Sequence, residues 1–146
     1  MYRRVLVPLE HSPYDACILD HVRRLARCCG ASVLLIHVAD GWAARNIRHL
    51  DLRESEEMRD DREYLEGLAA GLRTAGFDAE WRLERGDPAT QIIRTAGAEH
   101  VDLVAMATHG HRLLQDLVHG TTVNRVRHEL AVPVLLLRAR QDREQG

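Results

Sequence analysis

Lysine is absent from this sequence of 146 residues, and all 20 of its basic side chains are arginine. That removes the phosphate-gripping lysine of a Walker-type loop. Arginine suits planar pairing with carboxylate or phosphate, although a GC-rich genome produces the same bias. Aromatic residues make up 4% of the chain, proline occurs four times, and no low-complexity run is present, so disorder is expected only in the last few residues. Cysteine is scarce too: Cys17, Cys28 and Cys29 are an odd set with two adjacent members. Such a set is a poor disulfide framework and fits a reducing compartment. A vicinal Cys28–Cys29 bridge would strain the backbone, so free thiols at a helix end are expected. No stretch approaches the roughly 18 apolar residues of a membrane span, and the apolar run in MYRRVLVPLE is too short for a secretory leader. The expected location is the cytoplasm. A dominant charge sign is also missing: the net charge is −2, with no basic face of the kind nucleic acid requires.

What is present is enough for one core. The chain is 45% apolar, and a domain of this length buries about 68–70% of its unfolded surface. Five short apolar runs read as strands, at 4–9, 32–39, 79–84, 102–107 and 132–138. All but the third are nearly continuous Val, Leu and Ile, the pattern of strands covered on both faces of a parallel sheet. The third alternates and suits an edge. Helical periodicity falls between them, at 13–29, 54–75, 88–99 and 121–130. Ser12 and Pro13 are read as the start of the first helix and Gly30 as its stop; Thr121 or Thr122 is read as the cap of the last. Residues 40–53, which include Trp42, lack periodicity and read as a long loop. The alternation of strand and helix predicts an α/β domain over 3–140, one open parallel sheet with helices on both faces, followed by a charged tail at 141–146.

The chemically informative segment is AMATHGHRLLQDLVHGTTVNRV, residues 105–126. It leaves the end of a buried strand, passes Gly110, and reaches Gly120-Thr121-Thr122 before a helix. Open α/β sheets take ligands beyond the carboxyl ends of their strands. A helix N-terminus there attracts phosphate, and glycine lets the backbone approach the oxygens.

This segment resembles the nucleotide loop of the universal stress protein family, G-x2-G-x9-G-[S/T]. Gly110, Gly120 and Thr121 match it, and Ala107 stands at the first glycine. Met106, Thr108-His109 and the strand Ala131-Val132-Pro133-Val134-Leu135 match its flanks. VPLEHSP at 7–13 resembles the family's opening V-P-x-D-x-S, with Glu10 in place of Asp and His11 where glycine is common. Leu35-Ile36-His37-Val38 and Gly86-Asp87-Pro88 complete a collinear set over residues 3–138. The resemblance implies a Rossmann-like sheet of order 3-2-1-4-5 and a stress-response module that binds ATP, with or without Mg2+. It also implies a site in which Pro8, Leu9, Glu10 and Val38 flank adenine and ribose. Met106 and Ala107 would line the same pocket, while Gly110, Gly120, Thr121 and Thr122 hold phosphate beside His109, His111 and Arg112. Family members commonly form homodimers through the last strand, here 132–138, and some lack nucleotide. A nucleotide-free homodimeric interaction protein is therefore the alternative reading. At Ala107 a positive φ would cost roughly 1–2 kcal/mol.

Other patterns carry less. His109-Gly110-His111 and His119 have no cysteine or HExxH helix beside them to complete a zinc site. The same string resembles the HxGH signature of nucleotidyltransferases but lies after the wrong strand. Asp15 reads as a first-turn acid that favours the helix dipole. Glu54, Glu56, Glu57, Asp60 and Asp61 read as a solvated face, and Cys17 reads as core. No general base stands at a γ-phosphate, so at most slow ATP hydrolysis or autophosphorylation at Thr121 or Thr122 is expected.

Overall fold

The computed structural model describes residues 1–40, 51–109 and 117–139, with the side chains of 40, 51–55, 109 and 117–120 left aside. All five expected strands form: β1 (Arg4–Leu9), β2 (Ser32–Asp40), β3 (Ala79–Gly86), β4 (Leu103–His109) and β5 (Val134–Ala139). They make one parallel sheet in the order β3-β2-β1-β4-β5. The alternating strand β3 lies at an edge, as its pattern implied. Among the described residues four helices cover the sheet: α1 (Asp15–Cys29), α2 (Asp51–Thr74), α3 (Pro88–Ala98) and α4 (Leu117–Glu129).

Successive strand residues face opposite sides, and this divides the core in two. Val5, Val7 and Leu35 pack with Ile18 and Val22 of α1 and with Leu65 and Leu72 of α2. Leu6, Leu34 and Ile36 pack with Ile92 and Ala96 of α3 and with Val126 of α4. Each such Val, Leu or Ile side chain, fully removed from water, contributes about 1.5–3 kcal/mol.

Several element boundaries differ from the sequence reading. Helix α1 starts at Asp15, with Tyr14 in the cap position and no side-chain cap, so Ser12 and Pro13 lie in a turn before it. That turn closes through the Asp15 amide donating to the Ser12 carbonyl at 3.1 Å. Helix α2 begins at Asp51 and β2 ends at Asp40, which shortens the expected 40–53 loop at both ends; Trp42 lies outside the described residues. Helix α4 begins at Leu117, so Thr121 and Thr122 sit inside it and do not cap it. Gly120 is tolerated within a helix at a cost of about 1 kcal/mol, and a helix leaves only its first four amides without intrahelical partners. Here that set ends before Thr121 and Thr122.

The third helix starts as expected. Asp87 caps α3 by accepting the Thr90 amide at 3.0 Å, and the Thr90 hydroxyl donates to the same Oδ2. Arg125 of α4 donates to that oxygen at 2.6 Å. The Thr90 hydroxyl, then its amide, then the Arg125 guanidinium hold the Asp87 carboxyl below the ordinary carboxylate range. The stabilisation is therefore present above the unfolded pKa of about 3.9 and is lost as pH falls through the lower folded value. Asp87→Ala is expected to cost about 0.5–2 kcal/mol at neutral pH, as the loss of a cap does. In urea unfolding followed by circular dichroism, that gap should close as the pH is lowered through the acid range.

Candidate functional site

The β1–β2 ladder runs to Leu9↔His37 and the β4–β5 ladder to His109↔Ala139. Between β1 and β4, however, the paired residues are Val5↔Leu103 and Leu6↔Val104 alone. Beyond them the two strands continue to their carboxyl ends without pairing each other. The ladder thus stops short of the carboxyl ends of strands 1 and 4, where the winding of the sheet reverses, and the crevice at such a point is where open α/β sheets take ligands.

The turn that leaves β1 at this crevice is built around one buried carboxylate. Asp15 is 3% exposed. Its Oδ1 accepts the Glu10 amide at 3.0 Å, and its Oδ2 accepts the amides of His11 at 2.9 Å and Ser12 at 3.2 Å. The Tyr64 phenol of α2 donates to Oδ2 at 2.6 Å. Burial, reinforced by the hydrogen bond to Asp15 and by its charge, pushes the Tyr64 phenol well above its ordinary pKa, so it remains a donor at neutral pH. His11 adopts a left-handed backbone, φ 60°, at a cost of roughly 1–2 kcal/mol for a residue with a side chain. This is the position where the family commonly has glycine. Its imidazole stacks on Tyr64 with ring centroids 3.9 Å apart, and its Nδ1 lies 2.7 Å from Asp61 Oδ1. From β2, His37 donates through Nδ1 to the Leu9 carbonyl at 2.8 Å and turns Nε2 toward Asp61 Oδ2 at 3.5 Å.

Asp61 is thus no part of a solvated face: its side chain is 14% exposed between two imidazoles. Glu56, Glu57 and Asp60 are exposed as expected. Asp15, read from sequence as a dipole acid, is the anchor of the turn. Periodicity carried the signal for both. Asp15 falls in line with the buried Ile18, Leu19, Val22 and Ala26, and Asp61 and Tyr64 fall in line with Leu65, Leu68 and Leu72.

The predicted ligand residues divide between the two faces. Val38 and Met106 pack in the α3–α4 core, and Pro8, two residues beyond Leu6 and opposite Ile36, shares that side. Leu9 and Ala107 belong to the α1–α2 core. Ala107 does not take a positive φ: it sits in β4 opposite Leu137, where its methyl carries no backbone cost. Glu10 follows β1, and its carboxylate accepts the Ser12 hydroxyl at 3.3 Å. Thr121 is exposed and Thr122 is 8% exposed. His109 ends β4 and Gly120 lies in the first turn of α4. Gly110, His111 and Arg112 lie outside the described residues. Among the described residues no three His, Cys, Asp or Glu side chains group as a metal site, and no helix is long and apolar enough to cross a membrane. Cys17, Cys28 and Cys29 are free thiols; Cys17 is partly exposed and does not join the fully buried core.

The model of the universal stress protein family matches residues 1–138. Universal stress protein MJ0577 of Methanocaldococcus jannaschii is 24% identical over 158 residues, spanning 94% of this chain and 96% of the relative. YxiE of Bacillus subtilis is 24% identical, spanning 94% and 100%. Among solved structures, MJ0577 superposes with a TM-score of 0.84 at 24% identity over 97% of this chain and 99% of that one. A universal stress protein from Archaeoglobus fulgidus in complex with dAMP superposes at 0.68 and 18% identity, over 94% and 98%. Another, in complex with cAMP, does so at 0.73 and 18%, over 95% and 99%.

Tyr64→Phe isolates one bond of the turn. A raised folded-state pKa means that the phenol stabilises the fold fully below its unfolded pKa of about 10 and that this stabilisation is lost as pH rises further. The variant is expected to be less stable by about 1–3 kcal/mol near neutral pH, as for a hydrogen bond to a charged group. Urea unfolding should show that gap narrowing above about pH 10; a gap independent of pH would mean that the phenol does not act through Asp15.

Proposed function

Because the chain belongs to the universal stress protein family, we propose that it binds an adenine nucleotide, ATP, in the crevice between β1 and β4 and acts as a ligand-dependent regulatory module. The observation that carries this reading is the end of the β1–β4 ladder at Leu6↔Val104. Proteins of the same fold in complex with cAMP and dAMP support the adenine class. Pro8, Val38 and Met106, which share one face of the sheet, are the residues proposed for the base, with Leu9 and Ala107 as backing from the other face. Glu10 is proposed for the ribose. Phosphates go to the β4–α4 side, to Gly110, Gly120, Thr121 and Thr122 with His109, His111 and Arg112, because Asp15 already occupies the amides of the β1 turn. Mg2+ would ride on the phosphates, since the described residues offer no metal-binding group of their own. Binding on the β4–α4 side changes the surface a partner meets.

A second reading has its own observation. β5 pairs only with β4, and its Leu136 is 39% exposed, an apolar edge of the kind proteins cover. A homodimer through residues 132–138, with or without nucleotide, would cover it.

Thermal unfolding of the nucleotide-stripped protein tests the first reading. A ligand at 100 times its Kd stabilises by about 2.7 kcal/mol, roughly 5–11 °C for a domain of this size. That rise is expected with Mg-ATP, not with Mg-GTP, and not in Gly120→Glu. No shift at millimolar ATP would overturn ATP binding. For the second reading, Leu136→Glu is expected to convert a dimer to a monomer in sedimentation; a monomeric parent protein would dismiss it.

A further inference from the structure

Glu10, assigned above to the ribose, lies beyond the last residue of β1, where the sheet no longer holds the backbone. What holds it is Asp15. The Glu10 amide donates to Oδ1, and the next two amides donate to Oδ2. The Ser12 hydroxyl then donates to the Glu10 carboxylate at 3.3 Å, so the same turn fixes both the backbone and the side chain of Glu10. Between them lies the left-handed His11, a conformation that three converging amides stabilise and that would relax without an acceptor to gather them. Asp15 is itself rigid: it is 3% exposed in the first turn of α1 and receives the Tyr64 phenol of α2 at 2.6 Å. A side chain is held to the accuracy recognition needs when its support sits on packed elements, and here the support sits on two helices.

We propose that Asp15, braced by Tyr64, is a positioning residue for sugar recognition: it presents the Glu10 carboxylate to the ribose hydroxyls of the bound nucleotide. This rests on the nucleotide reading above. Asp15 itself touches no ligand. Exchanging it for Asn keeps the size but leaves one oxygen where two gathered the amides, and it turns an NH2 group toward N–H donors. Position 11 then returns to an ordinary φ, and Glu10 moves with it.

The test compares ATP with 2′,3′-dideoxy-ATP by titration calorimetry, in the parent protein and in Asp15→Asn, Tyr64→Phe and Glu10→Gln. The parent is expected to prefer ATP by about ten-fold or more, the factor that hydrogen bonds to a charged acceptor give. In Asp15→Asn and Glu10→Gln the preference should fall toward one, while affinity for the dideoxy analogue stays within about two-fold. Tyr64→Phe, which keeps the carboxylate, should lose part of the preference. A folded Asp15→Asn that keeps the preference overturns the proposal, as does one that weakens both nucleotides alike, the signature of a merely structural role. If Asp15→Asn does not fold, Tyr64→Phe decides, and an unchanged preference there overturns it. A parent that binds ATP without the preference removes the positioning role and leaves the nucleotide reading standing. A parent that binds neither nucleotide removes both.

Discussion

β1 is buried on both faces, and this constraint propagates through the molecule. Val5, Leu6 and Val7 are fully excluded from water, so beyond Arg4 the strand offers no polar side chain. Its chemistry is confined to its carboxyl end, where the chain must turn out of an apolar layer with its amides still to be satisfied. Asp15 meets that need from inside the next helix. The turn therefore depends on a charge that α1 carries in among its own apolar residues, and that charge is in turn shared with Tyr64 of α2. Strand, turn and two helices are bound together by one carboxylate.

The same arrangement divides labour between the two sides of the crevice. In many sheets of this architecture the turn after the first strand is where phosphate binds, because its amides face outward. Here three of those amides face an internal anion, and a second anion beside it would meet both repulsion and a lack of donors. For the proposed nucleotide, the start of α4, whose first four amides have no intrahelical partner, is the side left to receive negative charge. Residues near β1 and β2 are then suited to the uncharged part of a ligand.

Most of the architecture was legible because it rests on period and punctuation. Continuous Val, Leu and Ile runs marked the strands covered on both faces, and Asp87-Pro88 and Gly30 marked helix ends that the structure keeps. Polar burial was less legible. Asp15 and Asp61 were read by residue type, as acids that favour a helix start or a solvated face. Their positions in line with Ile18 and Leu65 pointed inward, and position prevailed over type. Reading the glycine replacements by rule also misassigned the strain. Of the two replacements, Ala107 lies in regular β4 without a positive φ, while His11 is left-handed. One sequence reports that a glycine is missing, but the local φ decides whether the loss matters. The start of α4 was missed because Gly120 reads as punctuation although it lies within the helix.

The contacts that brace the β1 turn against α2 are distant along the chain. Asp15 and Tyr64 are 49 residues apart, and His11 and Asp61 are 50 apart. Such contacts form only after the entropy of closing the long intervening loops has been met. That bracing therefore exists only once α2 has docked beside the turn. The reverse also holds: lifting α2 would break both contacts together. The crevice thus has a wall whose persistence is set by the docking of a helix that contributes no residue to the proposed ligand set.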